Sequence, residues 1–304
     1  MSSRLGRRVG GRTVEVSRPE KVLFPADGLT KADLVDYSIA VGETMLPHVR
    51  GRPVAMRRFP DGIGEGGFFE KKAPEHFPDW IDRVQVQTRE GSQRHVVCNE
   101  EATLAYLADQ ACVEPHVWLS REDDLDHPDQ LIIDLDPSVE DLRRLRAATR
   151  AVGNRLENLG LTPFVKTTGS RGYHVHVQLD RGEDFDTVRE FARSLAETLA
   201  DEDPDLMTTK QRKDERGDRV FLDYLRNAYG QNAIPAYGVR ARPGAPVATP
   251  VDWSEVGQVA PDGYDMTSVL RRLSQKADPW QGIAGHACSL DAARRNLARG
   301  RGGE

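Results

Sequence analysis

The run Leu131-Ile132-Ile133-Asp134-Leu135-Asp136-Pro137 constrains this chain more than any other stretch. Three apolar residues lead into Asp-x-Asp, and Pro137, which cannot donate to a further ladder bond, closes the run. The pattern predicts a buried strand that ends at a site. Asp134 and Asp136 are two apart and so share a strand face, with Leu135 turned into the opposite layer. Close, partly desolvated carboxylates repel, and one takes up a proton unless a cation lies between them. Hard oxygen donors of this kind suit Mg²⁺ or Mn²⁺ better than zinc. The plainer alternative is a chance pairing in which an aspartate only caps the next helix. Ser138 and Asp141 already form a capping-box pattern there, which frees Asp134 and Asp136 from that task.

Two further clusters bear on the aspartates. Asp223 ends another apolar run, Val220-Phe221-Leu222-Asp223, and supplies the third carboxylate that two-metal phosphoryl transfer requires. In Tyr173-His174-Val175-His176-Val177 the two histidines share a strand face. The preceding turn, Gly169-Ser170-Arg171-Gly172, is expected to offer free backbone N–H groups and a guanidinium, a nest for phosphate. A plain hairpin turn is the competing reading. Phe68-Phe69 follows a glycine-rich loop among Arg57, Arg58, Lys71 and Lys72, a composition that suits base stacking with phosphate contact. Two core phenylalanines are the alternative.

At 304 residues the chain can bury a sizeable core. No apolar run approaches the roughly 20 residues of a membrane helix. The four arginines of Met1–Arg12 precede no apolar segment that would make a signal peptide. Cys98, Cys112 and Cys288 are unclustered, against a disulfide scaffold or zinc ribbon and in keeping with a reducing cytoplasm. A net charge of −6 argues against a protein that coats nucleic acid, but leaves room for a local basic cleft.

Strands and helices interleave along the chain, which predicts a mixed α/β (α+β) architecture without a visible seam. Residues 1–12 read as a loose basic arm, 13–285 as one catalytic domain and 286–304 as a basic tail. Thr30 and Asp33 predict a capped helix running to about Leu46. Further helices are expected over Glu100–Cys112, Asp141–Leu159 and Phe185–Leu199.

Six motifs occur together: Arg18-Pro19-Glu20-Lys21-Val22-Leu23-Phe24-Pro25, Gly67-Phe68-Phe69-Glu70-Lys71, Asp134-Leu135-Asp136-Pro137, Thr167-Thr168-Gly169-Ser170-Arg171-Gly172-Tyr173-His174, Phe221-Leu222-Asp223-Tyr224-Leu225-Arg226-Asn227 and Tyr237-Gly238-Val239-Arg240-Ala241-Arg242. In this order, over about Val16 to Trp253, the chain resembles the polymerase domain of bacterial ligase D. That family is a branch of the archaeo-eukaryotic primase superfamily that works in non-homologous end joining.

The resemblance implies a primase-polymerase fold with central sheets flanked by helices. It also implies a polymerase that fills gaps and extends ends with two Mn²⁺ or Mg²⁺ ions, taking NTPs or dNTPs with ribonucleotides favoured. Asp134, Asp136 and Asp223 would be the catalytic, metal-binding carboxylates. Thr168, Ser170, Arg171 and His174 would meet the nucleotide, together with Arg240, Arg226, Arg57 and His116. Phe68 and Phe69 would stack at the templating base beside Lys71. Lys21 and Lys31, with Arg18 near them, would grip the 5′-phosphate across a gap. Ku and a separate DNA ligase are the partners implied, in the bacterial cytoplasm.

There are departures from the family pattern. Thr168-Gly169-Ser170-Arg171-Gly172 stands where Ser-Gly-x-Lys-Gly is usual, and Arg is forked where Lys is a point donor. Arg18 stands where some members carry Asn, and the zinc motif of replicative primases is absent. Two rival readings remain: a metal-dependent phosphohydrolase or nuclease that uses the same aspartates with His174 and His176, and a DNA-end-binding module that keeps Lys21 and Lys31 but has no turnover.

Overall fold

Of the residues expected as a loose basic arm, 4–12 lie in a hairpin, and 1–3 are outside the described residues. In the computed structural model, which describes residues 4–88 and 91–301, β1 (Arg4–Val9) pairs antiparallel with β2 (Arg12–Ser17) across Gly10-Gly11. Gly10 takes φ +57, the left-handed backbone that a two-residue hairpin turn requires. Two of the hairpin's arginines pair with acids: Arg4 meets Glu15 at 2.9 Å, and Arg7 makes a forked pair with Asp36 at 2.6 and 2.8 Å.

β3 (Val22–Phe24), β4 (Leu29–Thr30), α1 (Lys31–Ala40) and α2 (Gly42–Val49) follow. Thr30 caps α1 with Asp33 completing the box, as expected. The single helix expected to Leu46 is interrupted at Val41, and α2 starts at Gly42 against Glu101, where a Cβ would lie 3.1 Å from the glutamate side chain. Next come β5 (Pro53–Arg58), β6 (Phe68–Glu70), β7 (Arg83–Thr88), β8 (Gly91–Val97), α3 (Glu101–Asp109) and β9 (Cys112–Trp118).

Beyond them lie β10 (Gln130–Pro137), α4 (Leu142–Asn158), β11 (Pro163–Thr167), β12 (Tyr173–Gln178), α5 (Phe185–Glu202), β13 (Met207–Thr208) and β14 (Val220–Asp223). Asp141 caps α4 itself, accepting from the N–H groups of Arg143 and Arg144, so the box expected at Ser138 is not used. The remaining elements are β15 (Asn232–Ala233), β16 (Pro250–Val251), α6 (Met266–Leu273) and α7 (Asp291–Arg301). Of the expected basic tail, Asp291–Arg301 is helical and Leu290, Ala293 and Leu297 are buried, while 302–304 lie outside the described residues.

The chain divides into two compact units. The first comprises Met1–Asp123, Asn232–Thr249 and Tyr264–Asp278; the second comprises Asp124–Gln231, Pro250–Gly263 and Pro279–Glu304. Each is built on a six-stranded sheet. The first has the order β15-β9-β5-β8-β7 with β6 added on β5, and the second β13-β14-β10-β12-β11-β16. In the second, Leu131, Ile133 and Leu135 of β10 and Tyr173, Val175 and Val177 of β12 pair across one face, fully buried. The buried stripe of α4 (Leu145, Ala148, Val152, Leu156) and that of α5 (Val188, Ala192, Leu195, Leu199) pack on this sheet. No helix among the described residues is long and apolar enough to cross a membrane.

Candidate active site

The opposite face of that sheet carries its ionisable side chains. β10 runs through Asp134 and Asp136 to Pro137, as the sequence pattern predicts. Asp134 lies in register with His174 of β12 on one side and with Asp223 of β14 on the other, and His174 in turn faces Lys166 of β11. Cross-strand partners point to the same face. A row of four ionisable side chains therefore crosses four strands: Lys166, His174, Asp134, Asp223.

His174 Nε2 sits 3.3 Å from Asp134 Oδ1. Arg226, just past β14, brings Nε to 3.4 Å from Asp134 Oδ2 and 3.9 Å from Asp223 Oδ2. Burial raises the carboxyl pKa of Asp136, and the Asp134 charge adds to this against Arg171 and Arg226. Burial likewise raises that of Asp223, reinforced by Asp134 and opposed by the Leu225 N–H.

Three hard carboxylate oxygen donors, two of them penalised for carrying charge, are the donor chemistry that a divalent cation would relieve. As they stand, no group of three or more His, Cys, Asp or Glu among the described residues is arranged to hold a metal ion. Arg226 is the cation that reaches two of the three carboxylates.

The glycine turn differs from the expected open nest. Thr168 Oγ1 donates to the Gly172 carbonyl at 2.8 Å and accepts from the N–H groups of Ser170 and Gly172 at 3.3 and 3.2 Å. The Gly169 N–H donates to the Pro261 carbonyl at 2.9 Å. The bulkier hydroxyl of threonine thus closes the turn on itself. Gly172 is obligatory, since a Cβ there would lie 1.9 Å from the Leu135 carbonyl oxygen. Arg171 is exposed, and its charge is felt by Asp136. Ser170 and Arg171 line a cavity of about 390 Å³ with Pro137, Ser138 and Leu142.

The other predicted nucleotide residues gather within the first unit. Phe69 of β6, Arg57 of β5 and Glu114 of β9 stand in one cross-strand row, with His116 two residues beyond Glu114 on the same face. Glu114, 1% exposed, accepts from Arg57 at 2.9 Å, from Arg240 at 3.0 Å and from the Ala241 N–H at 2.9 Å, and lies 3.2 Å from His116 Nε2. Burial works to raise its pKa, but His116, Arg240 and the Ala241 N–H together hold it well below the usual carboxylate range.

Phe68 and Phe69 are half exposed, at 49% and 51%, so they are not core residues. Arg58 lies over Phe68 at 5.9 Å, Arg57 over Phe69 at 5.7 Å, and Phe69 meets His116 edge-on at 5.4 Å. Lys71 is exposed, and its charge acts on buried His95.

Arg18, Lys21 and Lys31 form a third group. Lys21 pairs with Asp61 at 2.8 Å. Lys31 is buried at 3%, with its ammonium on Ser17 Oγ at 3.1 Å and on Asp109 at 3.3 Å rather than out in solvent. Burial lowers its pKa, Asp109 works against this, and Arg18 and Lys21 add to the lowering, which shows how close the three cations lie.

Glu114, Asp109 and Lys166 escape the sequence reading. Glu114 had a signal, because Glu114-Pro115-His116 repeats the two-residue spacing of Asp134-Leu135-Asp136.

Comparison with known proteins agrees with this architecture. The model of the family described as LigD, primase-polymerase domain, matches residues 30–280. The multifunctional non-homologous end joining protein LigD of Mycolicibacterium smegmatis is 32% identical over 271 residues, 87% of this chain and 35% of the relative. Its Pseudomonas aeruginosa counterpart is 32% identical over 292 residues, 94% of this chain and 35% of the relative. The chain thus spans about a third of the length of these curated relatives. The solved polymerase domain from Mycobacterium tuberculosis ligase D in complex with DNA superposes with a TM-score of 0.85 at 32% identity, covering 90% of this chain and 99% of that one. With the family model matching residues 30–280 and the fold superposing at a TM-score of 0.85, the chain belongs to the LigD primase-polymerase domain family.

Proposed function

We propose that this chain is a DNA-end-directed nucleotidyltransferase that fills gaps and extends ends during non-homologous end joining. The observation that carries the reading is the in-register placement of Asp134 and Asp223, with Asp136 two residues along the same strand face. Asp134, Asp136 and Asp223 would hold two Mg²⁺ or Mn²⁺ ions. When bound, these supply a positive field that activates the attacking primer hydroxyl and stabilises the leaving pyrophosphate. His174 orients Asp134, and Arg226 screens Asp134 and Asp223 from one another. Within the second unit, Arg171 and Ser170 at the mouth of the turn are assigned to the nucleotide; within the first, Arg57, His116 and Arg240 form a cationic group assigned to nucleotide phosphate.

Double-stranded DNA with a gap or broken end is the proposed partner, supported by the DNA complex of the solved relative. Phe68 and Phe69 offer it exposed ring faces, and Arg18 and Lys21 offer surface charge for a 5′-phosphate. Lys31 supports that charge from below through its contact with Asp109. Ku and a separate ligase are the proposed protein partners, and ribonucleotides the favoured substrates. No bulky apolar side chain stands in the Thr168–Gly172 turn to exclude a 2′-hydroxyl.

The test is a gapped DNA with a downstream 5′-phosphate, Mn²⁺ or Mg²⁺, and labelled NTP or dNTP in separate reactions. Extension of the primer, faster with NTP and stimulated by the 5′-phosphate, is the expected result. Degradation without added nucleotide would instead establish a nuclease, and binding without turnover an end-binding module.

A further inference from the structure

We infer that Glu114 is a positioning residue for nucleotide binding, the acid that fixes Arg57, His116 and Arg240 in one constellation. The inference rests on the proposed function for the roles of those three side chains. The geometry stands by itself. Oε1 of Glu114 accepts from Arg240 and from the Ala241 N–H, and Oε2 faces Arg57 and His116. Arg57 comes from β5, His116 from β9 and Arg240 from the segment between β15 and β16. One buried carboxylate therefore ties three separate stretches of chain at one point.

An unpaired carboxylate this deep would cost too much to keep charged, and two guanidiniums beside an imidazole would repel without an acid among them. Together the groups still carry at least one net positive charge. A guanidinium has five N–H donors, so a carboxylate on one side of Arg57 leaves others for an anion. The Arg57 side chain is 37% exposed, which keeps it reachable. Its stacking over Phe59 at 5.1 Å and Phe69 at 5.7 Å holds the plane of the fork. Arg240 is restrained on its backbone as well, through its N–H to the Pro246 carbonyl at 2.7 Å. Glu114 thus sets where the forks point, and a polyanion reads that direction.

The experiment compares the full chain with Glu114→Gln, using inorganic tripolyphosphate as the binding probe and nucleotide addition on gapped DNA for kcat and KM. Misplaced cations bind a polyanion poorly, so Glu114→Gln should weaken tripolyphosphate binding and raise nucleotide KM by about tenfold each, with kcat changed by less than about threefold. In an Arg240→Ala background the same substitution should change KM less, because one of its three side-chain partners is gone. If Glu114→Gln does not fold, Glu114→Asp keeps the charge one methylene short, and should raise KM by about threefold. Unchanged or tighter tripolyphosphate binding, with only a lower melting temperature, would overturn the inference and leave the functional proposal standing. A wild-type protein that binds no tripolyphosphate would overturn the nucleotide reading, and this inference with it.

Discussion

In the second unit, the row across β11, β12, β10 and β14 reads Lys166, His174, Asp134, Asp223; in the first, the row across β6, β5 and β9 reads Phe69, Arg57, Glu114. Both are lines of cross-strand side chains on one face of a six-stranded sheet, each with a carboxylate among cationic or imidazole groups. Their electrostatics run in opposite directions. Asp136 and Asp223 are desolvated beside another acid, and their pKa values rise. Glu114 is more deeply buried, yet its pKa falls, because every neighbour is a cation or a donor. Burial alone therefore does not decide the state of a carboxylate. Its company does, and the fold provides one set of acids in need of a cation and another already satisfied.

The most damaging break should come from the needy row. Asp134→Ala is expected to cut nucleotide addition by at least about a hundredfold while leaving affinity for gapped DNA within a few-fold. Near wild-type extension in either Mg²⁺ or Mn²⁺ would remove the catalytic assignment. At the satisfied row, Phe68→Ala with Phe69→Ala should weaken DNA binding by about 1–3 kcal/mol per stacked base. Because both rings are half exposed, the melting temperature should barely move. A large loss of stability with unchanged DNA affinity would return them to a packing role.

Without divalent metal the two rows should also differ in what they do for stability. Asp223→Asn mimics the protonated form that burial favours, so it should raise the melting temperature near neutral pH. Glu114→Gln removes a favoured charge and should lower it. One kcal/mol corresponds to about 2–4 °C at a size of 150–250 residues. The pH dependence follows the same signs. A raised folded pKa at Asp136 and Asp223 means that stability falls as pH rises through the carboxylate range. The lowered pKa of Glu114 contributes stability that is present above its unfolded value and lost as pH falls. Shifts of the same sign for the two substitutions, followed calorimetrically in a chelating buffer, would end the comparison.

The smallest expected effect is at His95, which has no charged partner to hold it ionised. It is buried with neither ring nitrogen hydrogen-bonded, and burial, then the charge of Lys71, lowers its pKa from 6.5 to about 4. The unfolded chain takes up this proton more readily, so stability is lost as pH falls through that window. His95→Leu should flatten the acid limb of the stability profile between pH 6.5 and about 4. An unchanged limb would assign the acid sensitivity to other groups.

Much of this was written locally in the sequence. The Asp134–Pro137 strand end, the third aspartate, the Thr30–Asp33 cap and the paired histidines depend on spacing over a few residues, and the fold keeps them. What escaped depends on partners far away in the chain. Lys31 looks like a surface cation until Asp109, 78 residues later, receives it. The hydroxyl of Thr168 looks available until it closes on Gly172. The hairpin at Gly10-Gly11 is a local signal that the basic composition hid. The division into two units is invisible because three separate segments build each one.

Glu114 also sets a timetable. Arg57 precedes it by 57 residues and is already made when the acid emerges, but Arg240 follows by 126. At a ribosomal pace of about 5–20 residues per second, that second arginine arrives roughly 6–25 s later. For that interval the carboxylate lacks one of its two arginines. The first unit therefore completes its charge balance only after the whole acidic row of the second has been synthesised.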